Sequence, residues 1–345
     1  MLSDIAIVIL NYNGREYLEL FLPKVIAYSE DARIIIADNH SIDDSVAFVK
    51  TNFPTIEVII NSQNGGFAQG YNEALSKIQS KFYLLLNSDI EVTKDWLVPL
   101  FNSMKDPNVA GCQPKILSYH NKNVFEHAGA SGGFLDRNYY PFCRGRIFDL
   151  TEIDSGQYDN EQEIFWASGA CLLIRSELFH LVEGFDEDFF AHMEEIDMCW
   201  RIKKRGFNFK VIPSSVVYHV GGGTLAYNSP KKTYLNFRNS LFMITKNHEG
   251  VLFFKIFYRL CLDGIAGVLF LFKGSPTHTI SVLKAHFDFY KYLVIMLRKR
   301  TELKNQMDRQ INLSGVYEGS ILWARYFKGI MKYSELNLRL FKTKR

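Results

Sequence analysis

Within its first ninety residues the chain alternates short, β-branched apolar runs with stretches of helical pattern. IAIVIL (5–10) precedes a predicted helix near 15–28, RIIIAD (33–38) one near 42–53, and VII (58–60) one near 67–79, before FYLLLN at 82–87. Continuous apolar strands separated by helices predict a mostly parallel sheet covered on both faces. In such a sheet ligands bind beyond the carboxyl ends of the strands. Polar residues stand there: Asn11-Tyr12-Asn13, Asp38-Asn39, Asn64-Gly65-Gly66 and Asn87-Ser88-Asp89. Between 107 and 165 the Gly, Asn, Tyr and Pro clusters predict loops and short strands. Further strands are expected at 171–175, near 209–212 and at 215–219, with an acidic helix starting near 194 and helix after helix from 230.

With 345 residues, 47% of them hydrophobic, the chain can bury a substantial core. It reads as a domain over 1–245 followed by a helical region over 246–345. Charge divides at nearly the same place: the first 250 residues carry −8 and the remainder +11. A basic tail on an acidic body suggests an anionic surface as its partner. Anionic phospholipid fits; nucleic acid lacks any supporting motif. The five cysteines form no CxxC pair, which fits reduced thiols in a cytoplasm. The opening MLSDIAIVIL reads as a first strand, not a signal peptide.

VLFFKIFYRLCLDGIAGVLFLF (251–272) is the most apolar stretch, but Lys255, Arg259 and Asp263 interrupt it every four residues. That draws one polar stripe along a helix and argues against a spanning segment. A helix in the bilayer interface and a helix packed on the preceding domain both remain open.

Several residues carry chemistry. Asp89, at the mouth of a parallel sheet, suits a divalent cation bridging two phosphates, or the cap of a helix near Thr93. His219 ends a strand before Gly221-Gly222-Gly223, as a metal ligand or a structural imidazole. In HMEEIDMCWRIKKRG, Glu194, Asp197, Arg201 and Arg205 share one helical face, with Asp197 and Arg201 an i,i+4 pair. Glu195 lies beside Cys199 and Ile202 instead, an apolar flank that raises a carboxyl towards the value a general base needs. Glu195 is therefore the first candidate for the base and Asp197 the second. The glycines of NGGFAQG (64–70) suit either a plain turn or backbone N–H groups meeting a diphosphate.

Together, VILNYNG, IIIADNHSIDDS, NSQNGGFAQGYNEA, LLLNSDIEV, WASGACLLIR, GFDEDFF, EEIDMCWR, VYHVGGGT and the Tyr234, Arg238-Asn239 pair resemble family 2 glycosyltransferases of the GT-A type, particularly bacterial rhamnosyltransferase-like members. The likeness covers roughly 4–245. It implies a GT-A type Rossmann-like sheet and inverting transfer of a sugar, rhamnose before others, from a nucleotide-diphosphate donor. The acceptor would be a hydroxyl of a glycan or lipid-linked molecule in surface polysaccharide synthesis. By this resemblance Asn11 and Asp38 lie at the nucleotide base, with Asp38 accepting a hydrogen bond from a uracil or thymine imide. Asn64 and Gly66 lie beside the ribose and diphosphate. Asn87-Ser88-Asp89 takes the place of the DxD element, with Asp89 the acid for Mg2+ or Mn2+ and Asn87 an uncharged replacement for the first Asp. His219 completes the metal coordination. Trp166, Ser168 and Gly169 line the donor-sugar or acceptor pocket, and Arg238 helps hold the diphosphate. EEIDMCWR matches ED-x-E, with Glu195 where Asp is commoner. The expected location is cytoplasmic, on the inner face of the membrane. A non-catalytic nucleotide-sugar-binding protein and a nucleotidyltransferase are the alternative readings.

Overall fold

The four apolar runs form adjacent strands: β1 (Ile5–Asn11), β2 (Arg33–Asp38), β3 (Glu57–Ile60) and β4 (Phe82–Asn87). The structure is a computed structural model that describes residues 1–221, 229–305 and 311–343. Helices α1 (Arg15–Tyr28), α2 (Ser45–Asn52) and α3 (Gly66–Leu75) connect the strands. β1 pairs in parallel with β2 on one side and β4 on the other, and β2 pairs in parallel with β3. β1 and β4 bury side chains on both faces, which is why they read as continuous apolar strings instead of alternating ones, while β3, at the edge of the sheet, leaves Glu57 and Ile60 exposed.

The sheet continues through β5 (Ile90–Val92), β6 (Val109–Ser118), β11 (Gln162–Ile164), β12 (Cys171–Arg175) and β13 (Asn208–His219). Its order is β11-β13-β6-β12-β4-β1-β2-β3, with β5 on β13. β12 runs against β4 and β6, while β6 and β13 run with β4, so the sheet stays mostly parallel with reversed strands inserted. The two strands expected near 209–212 and 215–219 are one. Pro213 lacks the donor a ladder needs, and the register with β6 shifts between Ile212 and Val216 to pass it.

The irregular stretch supplies a second, small sheet: β7 (Gly133–Asp136), β8 (Pro141–Cys143), β9 (Arg146–Ile147) and β10 (Leu150–Thr151). Its outer partner comes from the far end of the chain. β14 (Val316–Tyr317) pairs in parallel with β7, a strand within the region expected to be helical.

Helices α4 (Leu97–Ser103), α5 (Ser176–Leu181) and α6 (Glu194–Lys203) flank the main sheet. α7 (Pro230–Asn247), α8 (Leu252–Phe272), α9 (Pro276–Asn305) and α10 (Ile321–Tyr326) follow. Among the described residues no helix is long and apolar enough to cross a membrane. The polar stripe of α8 faces inward. Lys255 donates to the Arg137 carbonyl, Arg259 donates to Asp263 at 2.8 Å and lies 4.0 Å over the Tyr140 ring, and Asp263 accepts from the Tyr140 hydroxyl at 3.4 Å.

Candidate active site

Strand ends converge on a cleft of about 340 Å³ at the carboxyl edge of the main sheet. β4 delivers Asn87, Ser88 and Asp89 to it. β5, three residues long, then pairs antiparallel with β13, setting His219 opposite Ile90. That pairing brings Asp89 and His219 together across 130 residues of chain: Nε2 of His219 lies 3.2 Å from Oδ1 of Asp89. The other ring nitrogen, Nδ1, lies 3.1 Å from Oε2 of Glu126. Burial works against a charged imidazole, but the Asp89 and Glu126 carboxylates outweigh it and push His219 up to about 10.

One carboxylate oxygen and one imidazole nitrogen meeting at the cleft form an oxygen–nitrogen donor pair that suits Mg2+ or Mn2+. Glu126 stands where an outer carboxylate orients a ligating histidine. A proton held between two acids marks a place where a cation can substitute for it. Among the described residues no group of three or more His, Cys, Asp or Glu forms a cage. The fit is therefore to a cation that takes its remaining ligands from substrate and water.

The opposite wall is the start of α6. Glu194 is buried and Glu195 half-buried, both line the cleft, and Oε2 of each has no hydrogen-bond partner. Glu194 and Glu195 fall on different sides of the helix. Here the end of the helix meets the cleft, so both first-turn residues reach it. Burial pushes the Glu195 carboxyl up to about 7, against backbone N–H groups of the first turn that lower it. Burial, then the neighbouring Glu195 charge, raises Glu194 well above the usual range.

The loop leading into α6 is strained. Phe190, His192 and Met193 have φ of 65°, 69° and 73°, the left-handed region that costs non-glycine residues energy. Two devices hold it. Phe67 and Ala68, at the start of α3, donate their backbone N–H groups to the Phe190 carbonyl at 2.8 and 3.2 Å. A Cβ on Gly66, itself at φ +78°, would lie 2.4 Å from that carbonyl, so this glycine serves the close approach. From α7, Asn239 donates to the carbonyls of Phe189, Ala191 and His192, and Arg238 to those of Asp188 and Phe189. Asn239→Ala is expected to lower stability by about 1–3 kcal/mol, because buried carbonyls lose their donor; urea unfolding measures it.

The structure brings Asn64, Gly66, Asn87, Ser88, Asp89, Ser168, Gly169, Glu195 and His219 to one cleft. It does not bring there five others that the sequence suggests. Asn11 and Asp38 are buried side by side: Asn11 donates to Asp38 at 3.0 Å, and the Ser41 N–H fills the other carboxylate oxygen at 2.8 Å. Trp166 is buried, its indole N–H donating to the Phe134 carbonyl at 3.1 Å, which ties β7 to the main body. Arg238 is spent on the loop carbonyls. Asp197 accepts from Arg201 at 2.8 Å, Lys246 at 2.8 Å and Asn247 at 2.7 Å. Burial raises its carboxyl, but Lys246 and Arg201 outweigh that and hold it low, which suits a structural ion cluster better than a base. The amides of α3 expected to meet a diphosphate are taken by Phe190.

Lys231, Lys232, His127 and His192 line the cleft without having been given a role in the sequence, and Asn39, one of the strand-end polar residues, lines it too. The two lysines start α7, which Ser229 caps by accepting from the Lys232 N–H at 3.2 Å, with Pro230 in the first turn. The Ser-Pro start was a readable signal for a helix end, a place that favours anions. His127 and His192 lay in stretches with no periodicity to flag them. Burial lowers them to about 3 and about 4, so both are neutral near pH 7. Residues 222–228, including Gly222 and Gly223, lie outside the described residues.

The model for glycosyl transferase family 2 matches residues 6–160. The low-salt glycan biosynthesis hexosyltransferase Agl10 of Haloferax volcanii is 24% identical over 247 residues, 69% of this chain and 75% of its own. The N-acetylglucosaminyl-diphospho-decaprenol L-rhamnosyltransferase of Mycobacterium tuberculosis is 20% identical over 266 residues, 72% of this chain and 87% of its own. Among solved structures, GalNAc-T7 with UDP, GalNAc and Mn2+ superposes at a TM-score of 0.55 and 17% identity. That likeness covers 70% of this chain but only 47% of the longer one, and it shows the GT-A type fold.

Proposed function

We propose that this glycosyltransferase is a rhamnosyltransferase-like enzyme of family 2 and that it is inverting and metal-dependent. The donor is a nucleotide-diphosphate sugar, with deoxythymidine-diphosphate rhamnose the first candidate. The acceptor is a hydroxyl of a glycan or lipid-linked molecule in surface polysaccharide synthesis, and the enzyme works on the cytoplasmic face of the membrane. One observation carries the chemistry: the Glu195 carboxyl, whose Oε2 has no hydrogen-bond partner, lines the same cleft as the Asp89–His219 pair.

The acceptor hydroxyl attacks the anomeric carbon from the side opposite the diphosphate. A new C–O bond forms, the bond to the diphosphate oxygen breaks, and Glu195 takes the hydroxyl proton. Asp89 and His219 would hold the divalent cation, which offsets charge growing on the leaving diphosphate. Lys231 and Lys232 at the start of α7 add positive charge on the same cleft, in the part first expected of Arg238, which donates instead to loop carbonyls. A single displacement inverts the anomeric configuration; Glu194, the other acid on this wall of the cleft, is pushed towards its neutral form by burial and the Glu195 charge, which makes it a poor nucleophile.

A donor panel tests this. Purified protein with deoxythymidine-diphosphate rhamnose is expected to release nucleoside diphosphate with Mn2+ and to stop when the cation is chelated. Release that persists unchanged in chelator sinks the metal-dependent reading. Pyrophosphate release from a nucleoside triphosphate would point to a nucleotidyltransferase.

A further inference from the structure

Helix α8 is turned inside out relative to an ordinary surface helix. Its charged stripe packs on Tyr139, Tyr140 and α9, where His286 Nε2 lies 3.7 Å from Asp263. Advancing about 100° per residue, the opposite face is centred on Phe254, Tyr258, Cys261, Ile265, Val268 and Phe272. All six are exposed, Phe272 to 84%. α9 packs alongside: Thr279 donates to the Gly267 carbonyl at 2.8 Å, and Gly267 faces Val282. It too exposes an apolar seam at three- and four-residue spacing, Ile280, Leu283, Phe287, Tyr290, Val294 and Leu297, with Val294 at 76%. Soluble proteins rarely leave contiguous apolar surface of this kind uncovered.

We propose that the outward faces of α8 and α9 seat the enzyme in one leaflet of an anionic bilayer. This rests on the membrane-face reading given above and names the surface that makes the contact. Two features select lipid as the occupant. The exposed cations Lys273, Lys284, Lys291 and Arg298 stand on the same hairpin; Lys291 pairs with Asp288 at 3.0 Å and Arg298 with Glu302 at 3.7 Å, while Lys273 and Lys284 form no ion pair among the described residues, so the hairpin surface keeps an excess of positive charge. A tail of +11 attracts anionic headgroups, whereas a second copy of the same face would bring like charges together. No charge interrupts the outward face of α8, so it can enter the acyl boundary without burying an ion.

The test uses the full chain and vesicles of phosphatidylcholine alone or with phosphatidylglycerol. Cys261 is exposed and the other four cysteines are buried, so a polarity-sensitive dye can be placed on α8 alone. The protein is expected to float with the anionic vesicles and the dye emission to shift to the blue. F254E with I265E, and separately V294E, are expected to cut the bound fraction about tenfold or more, with the unfolding temperature unchanged. If the parent floats but the variants float equally and the dye does not respond, another surface makes the contact and this proposal fails while the membrane reading survives. If the parent floats with no vesicle, the membrane reading fails as well. A concentration-dependent dimer that the substitutions dissociate, without vesicle binding, assigns the face to self-association and overturns the proposal.

Discussion

Glu195→Gln is expected to lower kcat by about 10²–10⁴-fold, the usual contribution of a positioned base, while donor affinity stays near that of the parent. Glutamine keeps the shape but replaces the basic carboxylate with a neutral amide too weakly basic to take the acceptor proton. The pH profile gives a second signature. A base works only when deprotonated, and burial pushes Glu195 up to about 7. Activity should therefore rise as pH passes through about 7 and level off above it, and that limb should vanish in the variant. The same shift has a stability consequence with a definite sign. A carboxyl raised in the folded state holds its proton more tightly there than in the unfolded chain. Its stabilising effect is present at low pH and lost as pH rises through about 7. Glu195→Gln should then melt at a higher temperature than the parent at pH 8, with the gap closing towards pH 4. A variant of unchanged kcat would remove Glu195 from the mechanism.

Asp89→Asn should cost about 10²–10³-fold in kcat, the scale of losing one stabiliser of a leaving group. An amide keeps an oxygen near His219 but brings no charge. The Mn2+ concentration for half-maximal activity should rise, and excess Mn2+ should restore part of the rate. Glu126→Gln should act in the same direction and more weakly, since it orients His219 without reaching the cation. An unaltered Mn2+ titration in Asp89→Asn would separate this acid from the metal.

Strands β1 to β4 were readable in the sequence nearly to the residue, since each is a short β-branched or apolar run stopped by Asn or Asp, and in β1 and β4 burial on both faces makes the run continuous. The second sheet was not, because strands of two to four residues have no period to read. Asp89, His219 and Glu195 were legible because each sits at the end of an element that announces itself. Glu194 escaped a side-of-helix argument at a helix end. Arg238 shows a different limit: sequence identifies a basic residue near the site, but only coordinates reveal that backbone carbonyls of a strained loop already occupy it. The stripe on α8 was plain in the sequence, whereas the direction it faces depended on Tyr139 and Tyr140, more than a hundred residues away.

Anomalous diffraction from a crystal grown with Mn2+ and a nucleoside diphosphate shows whether Asp89 and His219 hold the cation. One manganese peak is expected, coordinated by the carboxylate of Asp89, Nε2 of His219 and diphosphate oxygens, with Glu195 across the cleft. A diphosphate bound in the cleft with no manganese at that pair, or with manganese held elsewhere, would contradict it.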